Sequence, residues 1–273
     1  MKFKVKAKLN LILRIKDKRA DGYHNLEMIN ARINLCDVVT VKKTTQSDKL
    51  IYIKHPEYNT SSDNLILKTL KTLKDKYNIK SNYLIKVKKQ IPFGAGLGGA
   101  SMDAGEIARY ICKREKINIS VAELIELLKP LGADIPYSLY DLPCVVEGTG
   151  DKITPIIVPK KELILISPNI YIDTKTVFQT YDKHNNFTQT KSETNIIDDL
   201  NNNNYYNELQ EATYICEPKL KNLADKLMAY GKVVMSGSGS SLFLDTRLNK
   251  KKVVSKLKKD YPLYIIKIIK VPK

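Results

Sequence analysis

The stretch Lys88–Tyr110, KKQIPFGAGLGGASMDAGEIARY, decides how the chain is read. Four glycines, Gly94, Gly96, Gly98 and Gly99, stand between a strand-like run and a helix-like run. Glycine lets backbone N–H groups approach a phosphate closely, and a following helix N-terminus adds partial positive charge. A single glycine in such a turn is ordinary tight packing; four together point to phosphate binding. Gly94, Gly96 and Gly99 also spell G-x-G-x-x-G, which indicates a dinucleotide-binding fold only when the flanks agree.

The flanks do not agree. A strand of a doubly wound parallel sheet is buried on both faces and nearly all apolar. LIKVKKQIP instead carries lysines at alternate positions, which suits an antiparallel sheet with one exposed face. The fingerprint also needs an acidic residue closing the next strand, about 20 residues on, to hold the ribose. Here the corresponding region, ICKREKINIS, is still helix, and Glu115 sits in a basic run. No Lys-Ser or Lys-Thr follows the last glycine, and no HRD or DFG element occurs, so the P-loop and protein-kinase readings also fail.

A length of 273 residues allows about two domains, and the 43% hydrophobic content supports sizeable cores. No run of about 18 apolar residues occurs. The N-terminal MKFKVKAKLNLILRI alternates apolar residues with lysine, unlike the continuous apolar core of a signal peptide. Cys36, Cys112, Cys144 and Cys216 are scattered, with no CxxC pair, so free thiols in a cytoplasmic protein are expected. The net charge of +17 raises nucleic-acid binding. Against it, the lysines are spread over the whole chain, with no arginine-rich arm, RNP motif or zinc-finger spacing. A basic surface still attracts small anionic ligands.

Periodicity gives a mixed α/β order. KFKVKAKLNLILRI, DVVTVKKT, KLIYIKH and NYLIKVKKQI alternate like strands with one wet face. DNLILKTLKTLKDKY has helical spacing with Asp63 as N-cap, and a helix is expected from Met102 to Arg114. Ser120 and Glu123 form a capping box, and Pro130 with Gly132 ends that helix. The second half holds strand ELILIS, helix DTKTVFQTY, an Asn-rich loop near residues 184–204 and helix KLKNLADKLMAY. Strands KVVMS and SLFLD, a basic helix and strand LYIIKIIKV follow. The domain boundary is expected near residue 155.

IPFGAGLGGASMDA resembles the second motif of the GHMP kinases, the small-molecule kinases of galactose, homoserine, mevalonate and phosphomevalonate. AKLNLILRI resembles their first motif, and VMSGSGSSLFL their third, glycine-rich one. RADGYH, DNLILK, LGADIP and EGTGD narrow the resemblance to the branch that acts on cytidine-diphosphate-linked methylerythritol. Ala100 stands where glycine is usual, Gly105 where alanine is usual, and EGTGD replaces a more usual G-x-G-E.

The resemblance implies a two-domain α/β (α+β) fold. Residues 1–155 would form an ATP-binding domain like domain 2 of ribosomal protein S5, and 156–273 a ferredoxin-like substrate-binding domain. It implies ATP and Mg2+ as cofactors, and transfer of a phosphoryl group to the substrate's 2-hydroxyl. The small-molecule substrate would be the partner, with no nucleic acid or membrane. Lys8 and Asp134 match the catalytic positions, with Asp134 taking the hydroxyl proton and Lys8 steadying the carboxylate and the transferred group. Asn10 belongs to the same constellation. Tyr23, His24 and Phe178 match the cytidine-recognition element, where aromatic stacking and edge hydrogen bonds would select the base. Asn64 and Leu65 match the adenosine contact. Pro92, Gly94, Ala95, Gly96, Leu97, Gly98, Gly99, Ala100 and Ser101 match the ATP loop, and Gly237 and Gly239 the third-motif loop. No acidic residue is uniquely placed as a metal ligand.

Overall fold

The computed structural model describes residues 1–55, 64–184 and 194–271. The first half runs β1 (Lys2–Lys18), β2 (His24–Thr44), β3 (Lys49–Ile53), α1 (Leu65–Tyr77), β4 (Asn82–Lys88), α2 (Gly99–Arg114), α3 (Val121–Leu128), α4 (Ile135–Ser138), β5 (Cys144–Gly148) and β6 (Lys152–Pro155). The second half runs β7 (Lys161–Ser167), α5 (Thr174–Lys183), α6 (Ile196–Asn201), β8 (Tyr206–Asn207), α7 (Gln210–Cys216), α8 (Pro218–Leu227), β9 (Lys232–Met235), β10 (Leu242–Asp245), α9 (Lys250–Asp260) and β11 (Ile265–Val271).

Two sheets result, as an α/β chain of two halves requires. The first has the order β3-β4-β2-β1-β8, with β5 pairing β2 and β6 extending it. The second has the order β11-β7-β10-β9 and is antiparallel throughout. With helices between β7 and β9 and between β10 and β11, it is the β-α-β-β-α-β ferredoxin-like arrangement. The halves are interlocked, because β8 of the second half pairs in parallel with β1 at Ile12 and Leu13.

β4 behaves as its alternation predicts, with Ile85 and Val87 buried and Lys86 and Lys88 exposed. β1 does not. From Ala7 to Ile15 every residue is buried, so this strand has no wet face. The reason is a second core. Leu9, Leu11, Ile29 and Ile33 pack with Leu165, Phe243 and Ile269 of the second sheet. Val39, Ile85, Leu70 and Ile107 build the core under the helices of the first half.

The capping box of α3 is present in both directions: Ser120 Oγ accepts from Glu123 N–H, and Glu123 accepts from Ser120 N–H. α1 is capped by Asn64, whose Oδ1 accepts from Ile66 N–H at 2.9 Å, while Asp63 lies outside the described residues. α2 begins at Gly99, three residues before the expected start, because Gly98 turns the chain in the left-handed region at φ 65°. The Asn-rich stretch is not a loop throughout. Residues 185–193 lie outside the described residues, and Ile196–Asn201 form α6 behind an Asn195 cap. Asp199 holds that segment, accepting from Arg14 Nη2 at 3.0 Å, Tyr206 Oη at 3.0 Å and Asn204 Nδ2 at 3.0 Å.

Candidate active site

A cleft of about 410 Å³ is bounded by the glycine loop, the β1–β2 hairpin, α4 and the 237–238 turn. Its floor is a polar cluster that the apolar surroundings force into mutual pairing. Lys8 and Asn10 project from β1, where Lys8 is 4% and Asn10 1% exposed. Lys8 Nζ donates to Asn10 Oδ1 at 2.6 Å and lies 3.5 Å from Asp134 Oδ2. Asn10 Nδ2 in turn donates to Asn30 Oδ1 across the hairpin at 2.6 Å. Asp134 sits at the N-cap position of α4 with a third of its side chain open. The fully buried Arg32 steadies that helix by donating to Ser138 O at 2.7 Å, Tyr140 O at 2.8 Å and Lys6 O at 2.9 Å.

The glycine loop closes over this floor. Gly98 has no room for a side chain: a Cβ would come within 2.8 Å of Lys8 Cγ and 3.4 Å of Asp134 Oδ2. With glycine at its N-cap, α2 has no side chain bonded to its first-turn N–H groups. Such a helix end favours an anion. Gly98, Gly99, Ala100 and Ser101 all line the cleft there, together with Pro92, Gly94, Ala95 and Gly96.

The loop is also braced from behind, a role its composition alone did not reveal. A Cβ on Gly96, at φ 72°, would sit 2.0 Å from Ser236 O, so this glycine is needed for packing against the third-motif turn. Leu97 is 1% exposed within the core, and its carbonyl oxygen accepts from Lys8 N–H at 3.1 Å. Ala95 O accepts from Ser241 N–H at 3.2 Å. Gly237 lines the cleft, whereas Gly239 packs against Met235, Ile172 and Thr213.

At the strand end of the loop lies a buried charge cluster that sequence reasoning missed. Lys89 Nζ donates to Asp37 and, at 3.1 Å, to Asp103 Oδ2. Asp37 also accepts from Gln90 N–H at 2.5 Å and Ile91 N–H at 2.9 Å. Burial pushes the Asp103 carboxyl up to about 7, with Lys89 opposing and Asp37 reinforcing the shift. Lysine in this chain is too common for Lys89 to stand out, and nothing in the sequence brings Asp37 to it.

Toward the other end, Phe178 lines the cleft and stacks on His24 with ring centroids 5.0 Å apart and planes 21° apart. His24 is buried and its Nε2 lies 2.8 Å from Asp182 Oδ1. Tyr23 is 69% exposed and stands outside the cleft lining. Asn64 and Leu65 also stand outside it, but Asn64 Nδ2 donates to Tyr52 Oη at 3.0 Å, and the Tyr52 ring meets Phe93 edge-on. The structure thus gathers Lys8, Asn10, Asp134, the glycine loop and Phe178 around one cavity and leaves these others at its periphery.

Among the described residues no helix is long and apolar enough to cross a membrane, and no group of three metal-ligating side chains occurs.

The description "GHMP kinases N terminal domain" matches residues 64–146, and "GHMP kinases C terminal" matches residues 189–263. The chain is 34% identical to the 4-diphosphocytidyl-2-C-methyl-D-erythritol kinase of Clostridium beijerinckii, covering 96% of this chain and 97% of that one. The enzyme of the same name from Azobacteroides pseudotrichonymphae is 34% identical over 87% of this chain and 90% of its own. In fold, a crystal structure of 4-(cytidine 5'-diphospho)-2C-methyl-D-erythritol kinase superposes with a TM-score of 0.81 at 24% identity, each chain covered fully. The mevalonate kinase of Methanococcus jannaschii gives 0.66 at 17% identity over 100% of this chain and 98% of its own. With both domains matched and relatives a third identical over nearly its whole length, the chain belongs to the GHMP kinases.

Proposed function

We infer that the chain uses ATP to phosphorylate the 2-hydroxyl of 4-diphosphocytidyl-2-C-methyl-D-erythritol. The observation that carries this reading is the contact of Lys8 with Asp134 directly beneath Gly98. An acid, a cation and a phosphate-binding turn meet there at one end of a cleft whose other end is aromatic. The relatives' shared name supplies the substrate.

Phosphoryl transfer passes through a loose, charge-spread transition state, so positioning and positive charge do most of the work. The backbone N–H groups at the start of α2 would hold the phosphates. Asp134 would accept the hydroxyl proton, and Lys8 would keep that carboxylate oriented and offset charge on the moving group. Asn10 fixes Lys8 through the 2.6 Å hydrogen bond. Phe178 offers a stacking face for the cytosine, with Tyr23 at the rim, and His24 an edge for hydrogen bonding, while Asn64 and Leu65 border the adenosine end.

Mg2+ would mask phosphate charge. A magnesium ion held mainly by phosphates and water needs only one or two protein oxygens. The Ser101 hydroxyl and Asp134 fit that requirement; Asp103 does not, being fully buried against Lys89. We take residues 1–155 as the ATP-binding half and 156–273 as the substrate-binding half, a division supported by sheet membership apart from β8. A cytoplasmic location agrees with four free cysteines.

The test is a panel of alcohols with ATP and Mg2+. The cytidine-diphosphate-linked methylerythritol should be turned over, and homoserine and mevalonate left alone. Turnover of either of those instead would keep the kinase and overturn its substrate.

A further inference from the structure

We propose that Asp182 is a positioning residue that fixes one tautomer of His24, so that its Nδ1 accepts a hydrogen bond from an amino-bearing pyrimidine. This rests on the cytidine reading above and assigns its base discrimination to a residue outside the family motifs.

α5 grips the imidazole on two sides. Phe178 covers its face, and Asp182, one turn later on the same helix, meets Nε2 at 2.8 Å. Tyr181 adds an edge contact at 6.1 Å between centroids. Asp182 is itself held by Lys18, whose Nζ donates to Oδ2 at 2.7 Å. Burial works against ionisation of Asp182, yet the hydrogen bonds from Lys18 and His24 keep its carboxyl below the usual range.

An ionised carboxylate can only accept, so Nε2 must carry the proton of this contact. In the neutral ring the remaining nitrogen is then an acceptor. Nδ1 has no hydrogen-bond partner among the described residues. An acceptor there suits the exocyclic amine of cytosine and is mismatched to the carbonyl oxygen that uracil presents at the same position. Lys18 and Asp182 thereby act on the base without touching it.

The test has two arms. Long-range proton–nitrogen NMR of the resting protein, with the His24 signal assigned by its loss in His24→Gln, should show the Nε2–H tautomer. Asp182→Ala should abolish that preference. The Nδ1–H tautomer in the wild type, or an unchanged spectrum in Asp182→Ala, overturns the proposal whatever the substrate is. In the second arm, Asp182→Ala should raise KM for the cytidine-diphosphate substrate about tenfold, as for one lost hydrogen bond. The KM for ATP should stay within about twofold. Preference for the cytidine over the uridine-diphosphate analogue should fall by the same tenfold factor, and Asp182→Glu should restore part of it. Equal rises in both KM values, or undiminished base preference, would mean a purely structural role and overturn the proposal. If the wild type turns over neither pyrimidine substrate, the cytidine reading fails and the base-selection role falls with it, while the NMR arm still decides the tautomer.

Discussion

Ser236 Oγ donates to the carbonyl oxygen of Gly96 at 3.0 Å, joining the third-motif turn to the glycine loop. Ser236 Oγ in turn accepts from Asn10 N–H at 3.1 Å, so one hydroxyl ties both glycine turns to the strand that carries Lys8. Ser236→Ala would strand a buried N–H and a carbonyl. The expected cost is about 1–3 kcal/mol, the range for an unsatisfied buried polar group. A urea titration reads it; a variant as stable as the wild type would show that the tie carries no energy.

Asp134→Asn keeps the shape of the side chain but removes the proposed base and the charge facing Lys8. We expect kcat to fall by about a hundredfold or more, the usual effect of losing a general base. ATP binding, followed by calorimetry, should persist. Near-normal kcat would remove Asp134 from the chemistry.

Gly105 faces Ser138 across the α2–α4 contact, and a Cβ there would lie 1.6 Å from Ser138 Oγ. That explains a glycine where the family usually has alanine. Gly105→Ala alone should destabilise by about 1–3 kcal/mol through overpacking. The double variant Gly105→Ala, Ser138→Gly should recover part of the loss, since the Ser138 Cβ as well as its hydroxyl, at 2.7 and 1.6 Å, competes for that volume. Additive costs would refute the steric account.

Asp103 gives the pH dependence a sign. In the folded protein its carboxyl holds a proton up to about 7, raised mainly by burial; in the unfolded chain it releases it at about 4. Between those values the folded state binds the extra proton, so stability contributed at low pH is lost as pH rises. Thermal melts from pH 4 to 8 should therefore show a decline that Asp103→Asn flattens. Parallel curves for the two proteins would contradict it.

Much of this protein is local and was legible in its residues. The glycine turn before a helix, the reciprocal Ser120–Glu123 cap and the alternation of β4 follow from backbone sterics and a period of two or 3.6, which a single chain displays in order. The family motifs named Lys8, Asn10 and Asp134 for the same reason: each belongs to a short contiguous pattern. What the chain order could not show is which surfaces meet. β1 looked half wet because lysines alternate at its start, yet the second sheet covers its other face and buries it from Ala7 to Ile15. Asn-rich sequence around residue 199 suggested a loop, but Arg14, 185 residues away, supplies the charge that anchors it as a helix. Asp37 and Lys89 pair across 52 residues, and Asp182 reaches His24 across 158. Those partners are set by where sheets and helices pack, because burial makes an isolated charge costly and rewards whichever opposite group the fold brings within reach.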